Sequence, residues 1–293
     1  MPEPSAAKSN TPRRRSWHWQ VRRLLIFLTV LYLGYGLLGC SLQRSFTWPG
    51  QYLPLAQAPL PPEAERWWLD IGDGDRVEAW YFPHPDATAD TPQPAVVYFH
   101  GNATLIDYCD DVRETYAGMG FNVLLPEYRG YGRSDGSPSQ ERIGQDMEVF
   151  LNRLLKRPEV DAERLLFHGR SVGCAVALDL ARKREPTAAI LNSPFRSVRA
   201  MLAKFGLPGF IALDAFDNEA ALRATTFPVL ITHGREDRTI PPSQGETLSR
   251  TREGVEFVLH AGPHNVETLA QLREIQAAER AFIERLAWVA ASD

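Results

Sequence analysis

The sequence predicts an α/β protein built on a mostly parallel sheet of eight strands, with an antiparallel start and helices on both faces. Short apolar runs alternate with helical stretches over most of the chain, which is typical of this class. Several of these runs are apolar at nearly every position. Such runs are typical of strands that are covered by helices on both sides of a parallel sheet.

The first two predicted strands, residues 66–71 and 76–82, are joined by Gly-Asp-Gly-Asp, a hairpin turn signal. We therefore expect them to form an antiparallel pair at one edge of the sheet. The other predicted strands are residues 95–99, 122–126, 164–168, 188–192, 229–233 and 256–260. The clearest helical patterns cover residues 105–118, 140–156, 172–184 and 268–290.

Composition excludes several classes of protein. A chain of 293 residues with 44% hydrophobic residues is not wholly disordered. Its formal net charge of -4 argues against a dedicated nucleic-acid-binding protein, which carries a basic excess. Three cysteines are too few for a disulfide scaffold, and the absence of a C-x-x-C pair or His/Cys cluster argues against structural zinc. We expect no metal and no organic cofactor.

The N-terminus has an organisation of its own. Residues 1–23 are basic and contain several prolines and serines, which predicts a disordered tail. Residues 24–42 are uncharged and apolar, and this length approaches the roughly 20 residues that cross a bilayer as helix. Basic residues before such a span keep the N-terminus in the cytoplasm and send the rest across. A buried core helix is the alternative, but this run lacks the polar face of such a helix.

Two kinds of membrane attachment remain open. Residues 37–40, Leu-Leu-Gly-Cys, resemble a bacterial lipoprotein signal in which Cys40 is lipidated and becomes the new N-terminus. The span can equally stay uncleaved as an anchor. Both alternatives tether the protein to a membrane with its remaining part outside the cytoplasm. Five prolines in residues 43–66 predict a linker, so the folded domain is expected at residues 67–293.

The first chemical motif is G-x-S-x-G at residues 169–173, with Ser171 at its centre. It follows a predicted strand and opens a predicted helix. A serine at such a sharp turn is exposed at the sheet edge, and flanking glycines avoid collisions with the strand and helix. This context predicts that Ser171 is a nucleophile.

A serine hydroxyl needs a base to activate it, and the base needs a carboxylate to orient it. His264 lies in a loop after the last strand and before the last helix, so we expect it to be the base, with His260 as the second choice. Asp237 follows the strand at residues 229–233 and precedes a turn, which favours it as the carboxylate. Its neighbour Glu236 is expected to point elsewhere. Asp214 and Asp217 are alternatives for the carboxylate, but no predicted strand end precedes them.

Acyl transfer also needs donors for the oxyanion that develops on the substrate. Residues 100–102, His-Gly-Asn, follow the strand at residues 95–99, and Gly101 permits the bend that turns the next N–H into the site. We therefore expect the backbone N–H groups of Asn102 and Val172 to form the oxyanion hole.

From residue 67 to the C-terminus the chain resembles the α/β-hydrolase superfamily, and within it the Bem46-like serine hydrolases, a group that includes membrane-anchored members and protein depalmitoylases. The matching motifs lie at residues 98–102, 127–134, 169–173, 192–195, 233–237 and 262–265. Glu127 stands where many members have Asp, and a proline precedes His264 where Gly is common. The resemblance implies an α/β-hydrolase fold and a hydrolytic reaction, but it leaves the substrate open.

The expected activity is therefore hydrolysis of a carboxylic ester or thioester, with an acylated or lipid-like substrate among the candidates. A serine peptidase on the same fold and a non-catalytic binding protein are the alternatives. Dehalogenases and epoxide hydrolases of this fold need Asp where this chain has Ser171. Residues 195–227 are too short for a full cap domain; they form either a minimal lid over an apolar pocket or a connecting helix packed on the core.

Overall fold

The structure is a computed structural model of the chain, and it describes residues 17–55 and 59–288. The chain divides into two compact units, one ending at Ser41 and the other beginning at Leu42. The boundary falls within the first helix, α1 (Trp17–Thr47).

In its described residues, 17–41, the N-terminal unit is apolar helix. All of the predicted span at residues 24–42 lies in α1. The most apolar part of this helix has a mean hydropathy of 2.0 and none of it is buried. The helix is therefore long and apolar enough to cross a membrane. A signal sequence near an N-terminus has the same properties. Helix α1 begins at Trp17, inside the predicted basic tail, where tryptophan and valine lie among the charged residues. The rest of that tail, residues 1–16, lies outside the described residues.

The second unit is built on one eight-stranded sheet. Its strands, in the order β1-β2-β4-β3-β5-β6-β7-β8 across the sheet, are β1 (Glu65–Gly72), β2 (Asp75–Phe82), β3 (Gln93–Phe99), β4 (Asn122–Pro126), β5 (Val160–Arg170), β6 (Ala188–Asn192), β7 (Val229–Gly234) and β8 (Val255–His260). Strand β2 is antiparallel to both β1 and β4, and all other neighbours are parallel. The predicted fold class and the antiparallel start are confirmed.

Within residues 59–288, the α-helices that accompany these strands are α2 (Asp110–Ala117), α3 (Gln140–Leu154), α4 (Val172–Ala181), α5 (Val198–Ala203), α6 (Asn218–Arg223), α7 (Pro242–Ser249) and α8 (Leu269–Arg285). The helix predicted at residues 105–118 is interrupted at Cys109, which separates a 3₁₀ turn from α2, and two aspartates then occupy the first turn of α2, where acidic residues are favoured. Helix α8 begins after Thr268, which forms a capping box with Gln271. Helix α7 has no apolar face that would have predicted it.

The two faces of the sheet bury separate clusters of side chains. Along β3, Val97 and Phe99 pack with α3 and α4 on one face, whereas Val96 and Tyr98 pack with α2 and α8 on the other. Alternate residues of a strand point to opposite faces, so a strand that is apolar throughout is buried on both. This arrangement explains the continuous apolar runs in the sequence.

The segment predicted as a linker begins as part of the second unit. Helix α1 continues to Thr47, a 3₁₀ helix covers Pro49–Tyr52, and the Trp48 side chain is fully buried. Its indole lies edge-on against Tyr128, Tyr131 and Phe216 and donates a hydrogen bond to Asp214. The prolines exclude long helices here, but they do not prevent one large aromatic side chain from anchoring the segment in the core.

Candidate active site

Ser171 lies at a sharp turn between β5 and α4, at the carboxyl end of the central strands. Its backbone has φ 54° and ψ -117°, a left-handed conformation that costs energy for a non-glycine residue. The turn is held because the Ser171 N–H donates to the carbonyl of Asn192 at the end of neighbouring β6. This geometry lifts the serine side chain out of the strand and leaves it half-buried rather than packed in the core.

The two glycines of the motif are required by close backbone contacts. A Cβ on Gly173 would lie 1.9 Å from the carbonyl oxygen of Phe99, and a Cβ on Gly169 would lie 2.6 Å from the backbone nitrogen of Cys174. Real Cβ atoms do not approach other atoms this closely, so only glycine fits at either position. The strand, turn and helix predicted around Ser171 are all present.

The structure brings Ser171, Asp237 and His264 together from three separate loops. His264 Nε2 lies 3.1 Å from Ser171 Oγ, and His264 Nδ1 lies 2.7 Å from Asp237 Oδ2. Both distances are hydrogen-bond lengths, and the two contacts use opposite nitrogens of the same ring. A ring whose Nδ1–H donates to a carboxylate keeps Nε2 as an acceptor facing the serine hydroxyl.

Asp237 is buried, and each of its carboxylate oxygens has a hydrogen-bond partner. Oδ1 accepts the Ile240 N–H at 2.8 Å. His233 Nε2, which lies 2.8 Å from the Ile240 carbonyl, is 3.4 Å from Oδ2. Burial alone would raise the pKa of the Asp237 carboxyl, but the hydrogen bonds from His233, His264 and Ile240 outweigh it and hold that pKa well below its ordinary value of 3.8. Asp237 is therefore ionised at neutral pH.

Two residues that the sequence reasoning did not select hold the loop that carries His264. The guanidinium of Arg170 donates to Asn265 Oδ1 at 2.9 Å and lies 3.5 Å from the carbonyl of His264. The Glu236 carboxylate accepts the Gly262 N–H, while its own N–H donates to the Gly262 carbonyl. Glu236 thus points away from His264, as expected, yet it supports the same loop. In the sequence, the only indication of this role for Glu236 was its position next to Asp237.

The turn at residues 100–102 lies directly against Ser171. The Cβ position of Gly101 is 3.9 Å from Ser171 Cβ. The hydroxyls of Tyr128 and Tyr131 donate to the carbonyls of His100 and Asn102, which fixes the turn from below. Val172 is the first residue of α4, where a backbone N–H has no intrahelical acceptor. The predicted oxyanion donors therefore belong to two elements that meet at Ser171.

A second buried pair supports this turn. His100 Nε2 lies 2.7 Å from Glu127 Oε1, and both side chains are fully inaccessible to solvent. The other oxygen of Glu127 accepts the Ile106 N–H. Glu127 thus links the end of β4 to the chain on both sides of the turn, a structural role for the Glu that replaces the more common Asp.

The alternative site residues lie elsewhere or are already engaged. His260 is buried at the end of β8, with Nδ1 against the carbonyl of Ala261. Asp214 accepts hydrogen bonds from Trp48 and from the Gln140 N–H, and Asp217 caps α6. Among residues 17–55 and 59–288, no three His, Cys, Asp or Glu side chains are grouped closely enough to hold a metal ion.

The sequence of this chain is similar to those of several known proteins. A family profile described as serine aminopeptidase S33 matches residues 90–215. An uncharacterised protein from Mycobacterium tuberculosis is 31% identical over 83% of this chain and 90% of its own length. Human alpha/beta hydrolase domain-containing protein 17B is 33% identical over 61% of this chain and 63% of its own.

Solved structures show the same fold at low sequence identity. An esterase from Pyrococcus furiosus aligns with a TM-score of 0.62 at 19% identity and covers 79% of this chain and 96% of its own. Esterase 2 from Thermogutta terrifontis aligns with a TM-score of 0.64 at 18% identity and covers 82% and 100%. The chain belongs to the α/β-hydrolase superfamily, and this membership supports a hydrolytic role.

Proposed function

We propose that this protein is a serine hydrolase that cleaves carboxylic ester or thioester bonds through a covalent acyl-enzyme. Ser171 is the nucleophile, His264 the general base and acid, and Asp237 the carboxylate that orients the imidazole. The observation that carries the proposal is the pair of hydrogen bonds from one imidazole, at 3.1 Å to Ser171 and 2.7 Å to Asp237.

The reaction proceeds in two halves. Ser171 Oγ attacks the substrate carbonyl carbon as His264 Nε2 takes the hydroxyl proton, and the N–H groups of Asn102 and Val172 stabilise the resulting oxyanion. The tetrahedral intermediate collapses, and the alcohol or thiol leaves with the proton from His264. Water, deprotonated by His264 Nε2, then attacks the acyl-enzyme carbonyl. The second tetrahedral intermediate expels Ser171 Oγ, which takes the proton back from His264, and the carboxylic acid is released. Asp237 stays ionised throughout and stabilises the imidazolium.

Labelling with a fluorophosphonate tests this proposal directly. The full chain should be labelled and should hydrolyse p-nitrophenyl butyrate, and Ser171→Ala should lose the label and at least about 10⁴-fold in kcat. Ser243→Ala, a change at an exposed serine on α7, is the matched control and should retain both. Labelling of a folded Ser171→Ala variant at the wild-type level would refute the assignment.

A serine aminopeptidase is the second candidate, because the matching family profile carries that description. Peptidase and esterase activities separate in a substrate panel of aminoacyl p-nitroanilides and p-nitrophenyl esters of increasing acyl length. Faster turnover of the anilides would favour the peptidase, whereas turnover of the esters alone would favour the esterase. Labelling without turnover of either class would show only that the serine reacts with the phosphonate.

We further propose that α1 tethers the enzyme to a membrane with the catalytic unit outside the cytoplasm. The basic residues before the apolar run support this orientation. An alkaline phosphatase fused after Asp293 should be active, since that reporter works only when exported. Incorporation of labelled fatty acid that is abolished by Cys40→Ala would identify a lipoprotein, and a full-length unlabelled chain in the membrane fraction would identify an anchor.

A further inference from the structure

The segment between β6 and α6 exposes large apolar side chains to solvent. Phe210 is 85% exposed, Phe205 is 63% exposed and Leu213 is 51% exposed. They lie on the chain from the end of α5 through a 3₁₀ turn at Gly209–Ile211. Apolar surface of this kind, concentrated in one short segment, is characteristic of an interaction site. We call these three residues the apolar cap surface.

The exposed charged residues beside the apolar cap surface, Arg199 and Lys204, are both basic. Arg196 is paired with Glu219, and Asp214 is buried and paired with Arg44. Residues 196–213 contain Arg196, Arg199 and Lys204 and no acidic residue. Exposed phenylalanine and leucine beside basic residues are the composition of segments that lie in the interface of a bilayer and are attracted to anionic lipids. The chemistry of the surface therefore matches a lipid headgroup region better than a neutral protein face.

The backbone of this segment is hydrogen-bonded to a residue that follows the apolar run directly in the chain. Gln43 directly follows Leu42, the last residue of the apolar run, and its side chain donates to the Ile211 carbonyl at 2.9 Å and accepts the Leu213 N–H at 3.0 Å. Arg44 also pairs with Asp214 at 3.6 Å. Because a helix rises only about 1.5 Å per residue, the backbone that bears Phe210 and Leu213 is bonded to a residue within one turn of the span.

The same segment borders the candidate active site. It begins just after Asn192, the last residue of β6, whose carbonyl accepts the Ser171 N–H. At its middle, the Lys204 ammonium donates to the carbonyl of Thr239, in the loop that follows Asp237. A surface held at the membrane would thus hold the edge of the sheet that bears Ser171 at the membrane as well.

We propose that the apolar cap surface inserts into the interface of an anionic lipid bilayer, so that the enzyme takes its substrate from that bilayer. This inference rests on the proposed hydrolase function and on the proposed membrane attachment. The partner is the lipid surface itself. It is recognised by the phenylalanine and leucine side chains through burial of apolar area and by Arg199 and Lys204 through charge.

A fluorescent label tests insertion without reference to activity. Phe210→Cys is labelled in the full chain and reconstituted into phosphatidylcholine vesicles with and without phosphatidylglycerol, and a nitroxide lipid serves as the quencher. Val149→Cys, at an exposed apolar position on α3, is the matched control. The wild-type chain gives the background from Cys40, since Cys109 and Cys174 are buried.

Quenching at residue 210 should exceed that at residue 149 and should increase with phosphatidylglycerol. Equal quenching at the two positions would overturn the proposal. Shielding of residue 210 that rises with protein concentration in the absence of vesicles would also overturn it, because the surface would then be covered by a second copy of the chain.

A pair of esters links insertion to function. Phe210→Ser should slow hydrolysis of a long-chain p-nitrophenyl ester embedded in anionic vesicles by about tenfold, the loss expected when one large apolar side chain no longer enters an apolar phase. Hydrolysis of soluble p-nitrophenyl butyrate should be unchanged, and Val149→Ser should alter neither rate. An equal loss on both esters would refute docking. If the wild-type chain cleaves neither ester, the hydrolase proposal fails while quenching still decides the docking surface.

Discussion

The buried carboxyl of Glu279 should make the stability of this fold depend on pH. Glu279 lies on α8, packed against the end of β6, and is only 5% exposed. It accepts a hydrogen bond from Asn192 Nδ2 at 2.8 Å, and His168 Nε2, which has no hydrogen-bond partner within the described part of the chain, lies 3.6 Å away. Burial lowers the pKa of His168 to about 3, so this imidazole is neutral and supplies no compensating charge.

Burial raises the pKa of Glu279 from 4.5 to about 7, and the bond from Asn192 only partly opposes this. The folded state therefore holds a proton on Glu279 that the unfolded state has lost between about pH 4.5 and pH 7. The contribution of Glu279 to the free energy of unfolding is fully present at the acidic end of that range, and it is lost as the pH rises through 7. At about 1.36 kcal/mol per pH unit, the loss is about 3 kcal/mol.

Glu279→Gln should remove this dependence, since the amide oxygen can still accept from Asn192 and carries no charge. At about pH 8 the variant should be more stable than the wild type by about 3 kcal/mol, which corresponds to an increase of roughly 6–12 °C in Tm for a domain of this size. Near pH 5 the two proteins should melt together.

Thermal unfolding of the full chain in detergent, followed by circular dichroism across this pH range, measures the effect. Glu253→Gln, a change at an exposed carboxylate, is the matched control and should follow the wild-type curve. Parallel curves for wild type and Glu279→Gln, separated by a constant offset, would show that Glu279 does not titrate in this window and would refute the reasoning.

Three further predictions concern the site and its support. His264→Ala should reduce kcat on p-nitrophenyl butyrate almost as far as loss of the serine, by about 10⁴-fold or more, whereas an inactive His260→Ala beside an active His264→Ala would reverse the assignment. Arg170→Ala should lower kcat about tenfold with little change in KM, because loss of the bond to Asn265 frees the loop that carries His264. Arg170→Lys should restore part of the rate. An unchanged kcat in Arg170→Ala would show that Arg170 does not position this loop. Trp48→Ala should cost about 3–5 kcal/mol of unfolding free energy measured by urea denaturation, since the indole is fully buried, and a loss below about 1 kcal/mol would contradict its place in the core.

The fold class was predictable, and residues could be selected for a candidate site, because the signals for both are local. A run such as Ala-Val-Val-Tyr-Phe in β3 is apolar at each position since both of its faces are covered, and that property is visible in the sequence. Ser171 lies between two glycines that its own turn requires. The chain order of Ser171, Asp237 and His264 follows from the order of the strands that precede them.

Other features depended on contacts between residues far apart in the chain. Strand β4 lies between β2 and β3, although it follows β3 in the chain. Gln43 bonds to the backbone of Ile211 and Leu213, and Trp48 is buried against Tyr128 and Phe216. None of these contacts leaves a periodic pattern in the sequence of the segments involved. Segment 43–66 looked like a linker because proline reports on local backbone preference alone.

The strands, the turn around Ser171 and the chain order of the candidate site residues follow from local signals, because backbone preference, apolar periodicity and turn geometry act over a few residues. Other features are visible only in the folded chain. Arg170 and Glu236 hold the His264 loop, Tyr128 and Tyr131 fix the turn at residues 100–102, and Glu279 is buried beside His168. Each of these contacts joins side chains from different elements. The free energy of such contacts comes from desolvation and packing at the place where the elements meet, and that place exists only once the sheet has assembled.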